Sequence, residues 1–121
     1  MIAAQLAFDT RRITPQSPRQ LLEAALAWIA DNPLGWDVIV SDARIRVALG
    51  RPIRVKRSAD DLRDSVTITR PDGSQVKVPN NLTAAWIRIM AAWYPELTEA
   101  AKQVMKPSKL DGLTIPPRRA A

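Results

Sequence analysis

The chain has 121 residues, 46% of them hydrophobic and 25% charged, which fits one soluble globular domain with a real core and excludes disorder of the whole chain. Cysteine and histidine are both absent, so disulfide scaffolds, thiolate metal sites, cysteine nucleophiles and histidine-based triads are excluded, and neither enzymatic activity nor a cofactor is expected. Eighteen basic residues against 12 acidic ones give a net charge of +6, a balance that favours a polyanionic partner.

Met1 to Phe8 is apolar but short, lacks a basic residue ahead of it, and runs straight into Asp9, Arg11 and Arg12, unlike a secretory signal. No window approaches a membrane span, so no membrane partner is expected and the cytoplasm is the expected compartment. Residues 1–16 have no clear period and read as an N-terminal arm. A compact domain is expected over 17–105, and a mobile, basic, proline-containing tail over 106–121.

The first helix is expected over about 18–31. Ser17 and Gln20 form a capping box, Pro18 sits at the first helical position, and Leu21, Leu22, Ala25, Trp28 and Ile29 share one face. Asn32 and Pro33 open a second helix after a very short connection. It runs to about Leu49 and stops at Gly50, with Leu34, Trp36, Ile39, Val40, Ala43 and Val47 as its buried stripe. Ser58 caps a short helical turn from Ala59 to Arg63 with Leu62 facing inward.

The period then changes from helical to two. Val66 to Arg70 and Gln75 to Val78 alternate around the turn chemistry of Pro71, Asp72, Gly73 and Ser74, so a β-hairpin leaning on the helices is expected. A further helix follows Asn80 and Asn81, burying Leu82, Trp86, Ile89, Met90 and Trp93 and projecting Arg88 to the other side. Tyr94 and Pro95 interrupt it, and a last helical stretch spans Glu96 to about Met105. The expected fold class is therefore α+β: mainly helical, three to four helices with one β-hairpin, in a helix-turn-helix or winged-helix-like arrangement.

The run Asn80, Asn81, Thr83, Arg88, Tyr94, Pro95, Glu96, Leu97 follows that hairpin. Ahead of it stand Leu21, Leu22, Glu23, Ala24, Ala25, Leu26, Trp28, Ile29 and Asn32, Pro33. Together they resemble a group of small proteins encoded by bacteriophages and prophages. The resemblance spans about residues 20–97. It implies a phage or prophage origin and a bacterial host cell, and it carries no catalytic residues.

The strongest functional signal is electrostatic. From Arg44 to Arg57 the chain carries Arg44, Arg46, Arg51, Arg54, Lys56 and Arg57 and no acid, so these six charges equal the net charge of the whole protein. Clustered cations release condensed counterions when they meet a phosphate backbone, which is what nonspecific nucleic-acid affinity needs. The plainer reading is that cations at the carboxyl end of a helix suit its dipole and keep the protein soluble.

Asn80, Asn81, Thr83 and Arg88 have the chemistry of base reading in a major groove, although asparagine and threonine ahead of a helix read more simply as ordinary caps. Arg70 and Lys77, with Gln75, place cations on the hairpin as a wing over a phosphate backbone, or on a solvated strand face. Of the four tryptophans, three sit on apolar helical faces at core spacing and read as packing rather than as platforms for exposed bases, and Asp60, Asp61 and Asp64 read as acids at a helix amino end rather than metal ligands.

The expected function is non-catalytic binding of double-stranded DNA in a regulatory or accessory role, with a homodimer as a further expectation. The rivals are a phage-encoded protein that binds and modulates a host protein, and a virion structural or packaging component.

Overall fold

A computed structural model describes residues 16–65 and 81–118. Their order is α1 (Pro18–Asp31), α2 (Pro33–Ala48), α3 (Val55–Ser65), α4 (Thr83–Trp93), a 3-10 turn (Pro95–Leu97) and α5 (Thr98–Val104).

α1 starts where its cap dictates. Ser17 Oγ accepts the Gln20 amide at 3.1 Å and Gln20 Oε1 accepts the Ser17 amide at 2.8 Å. Asn32 closes α1 and opens α2 with no intervening loop, its side chain donating to the Trp28 carbonyl at 2.9 Å. α2 ends in a Schellman arrangement: the Gly50 amide donates to Val47 O at 3.0 Å and the Arg51 amide to Arg46 O at 2.8 Å. This needs the left-handed conformation that Gly50 adopts at φ 71°.

The core joins Leu22, Ala25, Trp28 and Ile29 of α1 to Trp36, Ile39, Val40 and Ala43 of α2, Val55, Ala59 and Leu62 of α3, and Trp86, Ile89 and Met90 of α4. Trp28 and Trp86 pack as tilted rings 4.8 Å apart, and Trp36 Nε1 donates to Tyr94 Oη at 2.9 Å, linking α2 to the end of α4. Gly35 lets the first two helices close. A Cβ there would stand 2.9 Å from Trp28 Cη2 and 3.5 Å from Leu62 Cδ2. The burial of Trp28, Trp36 and Trp86 agrees with their core spacing.

Four sequence expectations are corrected. The regular structure of the described residues is all helical with no strand among them, so the α+β class and its winged-helix elaboration give way to a helical fold. The hairpin expected over 66–78 lies outside the described residues. The helices close the core against one another, so Leu22 through Leu110 find apolar neighbours without a sheet. α3 begins at Val55, four residues earlier than expected, because Val55, Ala59 and Leu62 repeat at helical spacing beneath charged neighbours. Leu34 and Val47 are exposed rather than buried: Leu34 turns away from the side on which Trp36, Ile39 and Val40 meet the core, while Val47 lies on that side but near the end of α2, where it lines an open cleft. Finally, α4 starts at Thr83 behind Leu82, which gives no side-chain cap, rather than being capped by the asparagines.

Residues 106–118, read from sequence as tail, lie back along the helices. Leu110 is buried, Trp93 Nε1 donates to Pro116 O at 2.7 Å, and the Arg118 guanidinium lies 4.9 Å from the Tyr94 ring centroid. None of the described helices is long and apolar enough to cross a membrane.

Candidate nucleic-acid interface

Folding sends the six cations of the 44–57 run to different electrostatic settings. Arg44 donates through Nε and Nη2 to Glu96 Oε2, at 3.1 and 2.9 Å, and lies 5.3 Å from the Tyr94 ring centroid. Arg46 reaches back one turn to Asp42 Oδ2 at 2.8 Å, and the buried Ser58 hydroxyl donates to the same oxygen. Partial burial pushes the Asp42 carboxyl up, but the hydrogen bonds from Ser58 and Arg46 outweigh it and hold the group below its ordinary range. Glu96 is likewise held low, by its own backbone amide and by the Arg44 guanidinium. These two arginines are spent on α2, α3 and the 3-10 turn.

Arg51, Arg54 and Lys56 form no ion pair among the described residues, and Arg57 has only a loose contact with Asp61, 3.9 Å away between two exposed side chains. Arg51 faces a small cleft that Glu96 and Glu99 also line, so nearby carboxylates offset its field. Arg54, Lys56 and Arg57 edge an open groove of about 1000 Å³, where Asp60 is the one acid in the described lining. Its far wall is Thr83 and Ala84 of α4, and its end is closed by Lys106 and Ser108.

The charge order along α3 opposes its dipole. A helix amino end carries partial positive charge and favours acids, each by about 0.3–1 kcal/mol. α3 has no acid in its first turn, which holds Lys56 and Arg57 behind Arg54, while Asp60 and Asp61 come a turn later. Asp60 and Asp61 are therefore not amino-end acids, a correction that follows from the earlier start of the helix. No group of three possible metal ligands occurs among the described residues.

The second constellation separates. Arg88 does not project outward: it is 8% exposed, and donates to Ala84 O at 2.8 Å, Lys106 O at 2.7 Å and Asp111 Oδ1 at 2.9 Å. Its face of α4 is covered by the 106–111 segment, which accepts all that its planar guanidinium offers there. The Ser108 amide and the Arg88 guanidinium together hold the Asp111 carboxyl below its ordinary range. Asn81 is exposed, with Nδ2 donating to Gln16 Oε1 at 3.0 Å, and Thr83 is half-buried on the groove wall. Arg70, Lys77 and Asn80 lie outside the described residues.

Lys106 and Ser108 are groove residues that periodicity does not mark. They reach the groove because Arg88 and Asp111 fold the chain back, a tertiary contact between residues 23 apart. Searches against protein-family models, curated proteins and solved structures return no match, so the resemblance to phage proteins gains no support from them.

Proposed function

We propose that the protein binds double-stranded DNA without sequence preference, seating one phosphate backbone in the groove edged by Arg54, Lys56, Arg57 and Lys106. The observation that carries this reading is the gathering of these cations at the amino end of α3, where the helix dipole disfavours them. An anion in the groove removes that conflict, because phosphate oxygens accept both from the side chains and from the free amides of the first turn. Arg44 and Arg46 contribute little, since each already faces a carboxylate.

Base reading is not part of the proposal. Arg88 is consumed inside the fold and Asn81 is engaged by Gln16, so of Asn81, Thr83 and Arg88 only Thr83 keeps its side chain for the groove. The role in this reading is accessory and non-catalytic, in a bacterial host cell.

Fluorescence anisotropy with a short random-sequence duplex at low salt tests it. The wild type binds, Arg44→Ala binds within about twofold of it, and the combined variant Arg54→Ala, Lys56→Ala, Arg57→Ala loses affinity on the order of 100-fold, since three counterion-releasing contacts are gone. Absence of wild-type binding, or a combined variant that binds as the wild type does, rejects the proposal.

A further inference from the structure

α2 is apolar on two opposite faces, and only one is used by the fold. Gly35, Trp36, Ile39, Val40 and Ala43 face the core. On the other side Leu34, Val38, Ile45 and Leu49 are 66%, 38%, 58% and 61% exposed, and they follow one another at helical spacing along about 22 Å of helix. With Val47 they make up the exposed large hydrophobics of the described residues, so the described apolar surface is concentrated on this one helix. A helix that is hydrophobic on both sides is normally covered on both.

We infer that this face is covered by the same face of a second copy of the chain, with the two α2 helices antiparallel across a two-fold axis near Ser41. The pattern is self-complementary. An antiparallel crossing at that point sets Leu34 against Leu49 of the second copy and Val38 against its Ile45, so every large apolar residue of the stripe finds another. The small, exposed Ser41 lies where the helices approach most closely and lets the backbones come together.

Charge supports the same arrangement. Asp37 and Arg44 flank one edge of the stripe, and the antiparallel two-fold brings that edge against its own copy, placing Asp37 of each chain beside Arg44 of the other. Asp37 is exposed and forms no ion pair among the described residues. Arg44 keeps Glu96 through Nε and Nη2 and has Nη1 free to donate. A membrane surface fits less well, because the stripe is flanked by Asp37 and Asp42 as well as by Arg44 and Arg46, whereas a helix lying on an anionic bilayer carries a basic polar face. One helix pair is a small interface, so the dimer is a weak, concentration-dependent one. The inference does not depend on DNA binding.

Sedimentation equilibrium of the full chain over a wide concentration range tests it, with far-UV circular dichroism confirming that each variant is folded. The wild type is expected to dimerise, Ile45→Asp to weaken the dimer by at least about tenfold, and Asp37→Arg to weaken it by setting like charges together. Because the chain has no cysteine, Ser41→Cys adds a geometric readout: mild oxidation links two copies at Cα separations of about 6 Å, while Glu23→Cys on exposed α1 remains unlinked. A chain that stays monomeric throughout, including one whose own N-terminal residues cover the stripe, overturns the inference. So does a dimer untouched by Ile45→Asp, which places the interface elsewhere.

Discussion

Arg88 and Arg54 line opposite walls of one groove and carry the same guanidinium. Arg88 is buried and saturated by the Ala84 carbonyl of its own helix and by the Lys106 carbonyl and Asp111 carboxylate of the segment that it anchors. Arg54 forms no ion pair among the described residues, its backbone carbonyl engaged by Ser58 while its side chain faces the opening. The same side chain is thus a fastener on one wall and a free charge on the other, decided by whether a carboxylate or carbonyl arrives from elsewhere in the fold. Arg44 and Arg46 fall between: each is paired, but at the surface or partly buried. The functional charge of this protein is therefore smaller than its run of basic residues, and it sits along a groove where Arg54, Lys56, Arg57 and Lys106 outnumber the one carboxylate in the described lining, Asp60.

The sharpest way to break the comparison is Arg88→Ala. It removes three hydrogen bonds from a buried cation and frees the 106–111 segment, so a loss of about 2–4 kcal/mol is expected in urea unfolding. DNA affinity should change only as Lys106 loses its place, far less than in the combined α3 variant. A dominant loss of DNA affinity with stability intact would reverse the roles assigned to the two walls.

Gly35→Ala is the next largest effect. The added methyl would stand 2.9 Å from a ring atom of Trp28, which is itself buried and packed on the fully buried Trp86. Overpacking here should cost about 1–2 kcal/mol net of the helix propensity that alanine gains, seen as a lower midpoint of thermal unfolding.

Acid sharpens the comparison on the paired side. Asp42, Glu96 and Asp111 all have folded-state values below their ordinary ones, so their contribution is fully present above the ordinary values of 3.8 and 4.5. It is lost as pH falls through the lowered folded values, because the unfolded chain takes up those protons first. Stability should therefore be flat near neutrality and decline below about pH 4, with Asp42→Asn showing a shallower decline. An identical acid profile for wild type and Asp42→Asn would remove Asp42 from this role. The smallest effect belongs to Arg44→Ala, an exposed pair whose loss should cost the monomer less than about 0.5 kcal/mol.

Local chemistry was the most legible part of the sequence. The Ser17 and Gln20 cap, Pro18, the Asn32–Pro33 junction and Gly50 fix α1 and α2, because each acts through neighbours a turn away. α3 was less legible, since Val55, Ala59 and Leu62 are few and the charges between them mask the period. The apolar type of Leu34 points to the core, yet only the placement of α1, α3 and the 3-10 turn decides which of two apolar faces of α2 is buried. The candidate site was visible as a charge run but not as a groove. Which of its cations remain free depends on Asp42 and Glu96, and its far end depends on Arg88 and Asp111, all contacts made by tertiary structure rather than by sequence neighbours.

The salt dependence of duplex binding tests the central claim most directly. Four phosphate contacts from Arg54, Lys56, Arg57 and Lys106 should give a slope of log affinity against log salt of roughly −3 to −4, falling to about −1 when the three α3 cations are replaced by alanine. A wild-type slope near zero, or a slope that the triple replacement leaves unchanged, would contradict the account.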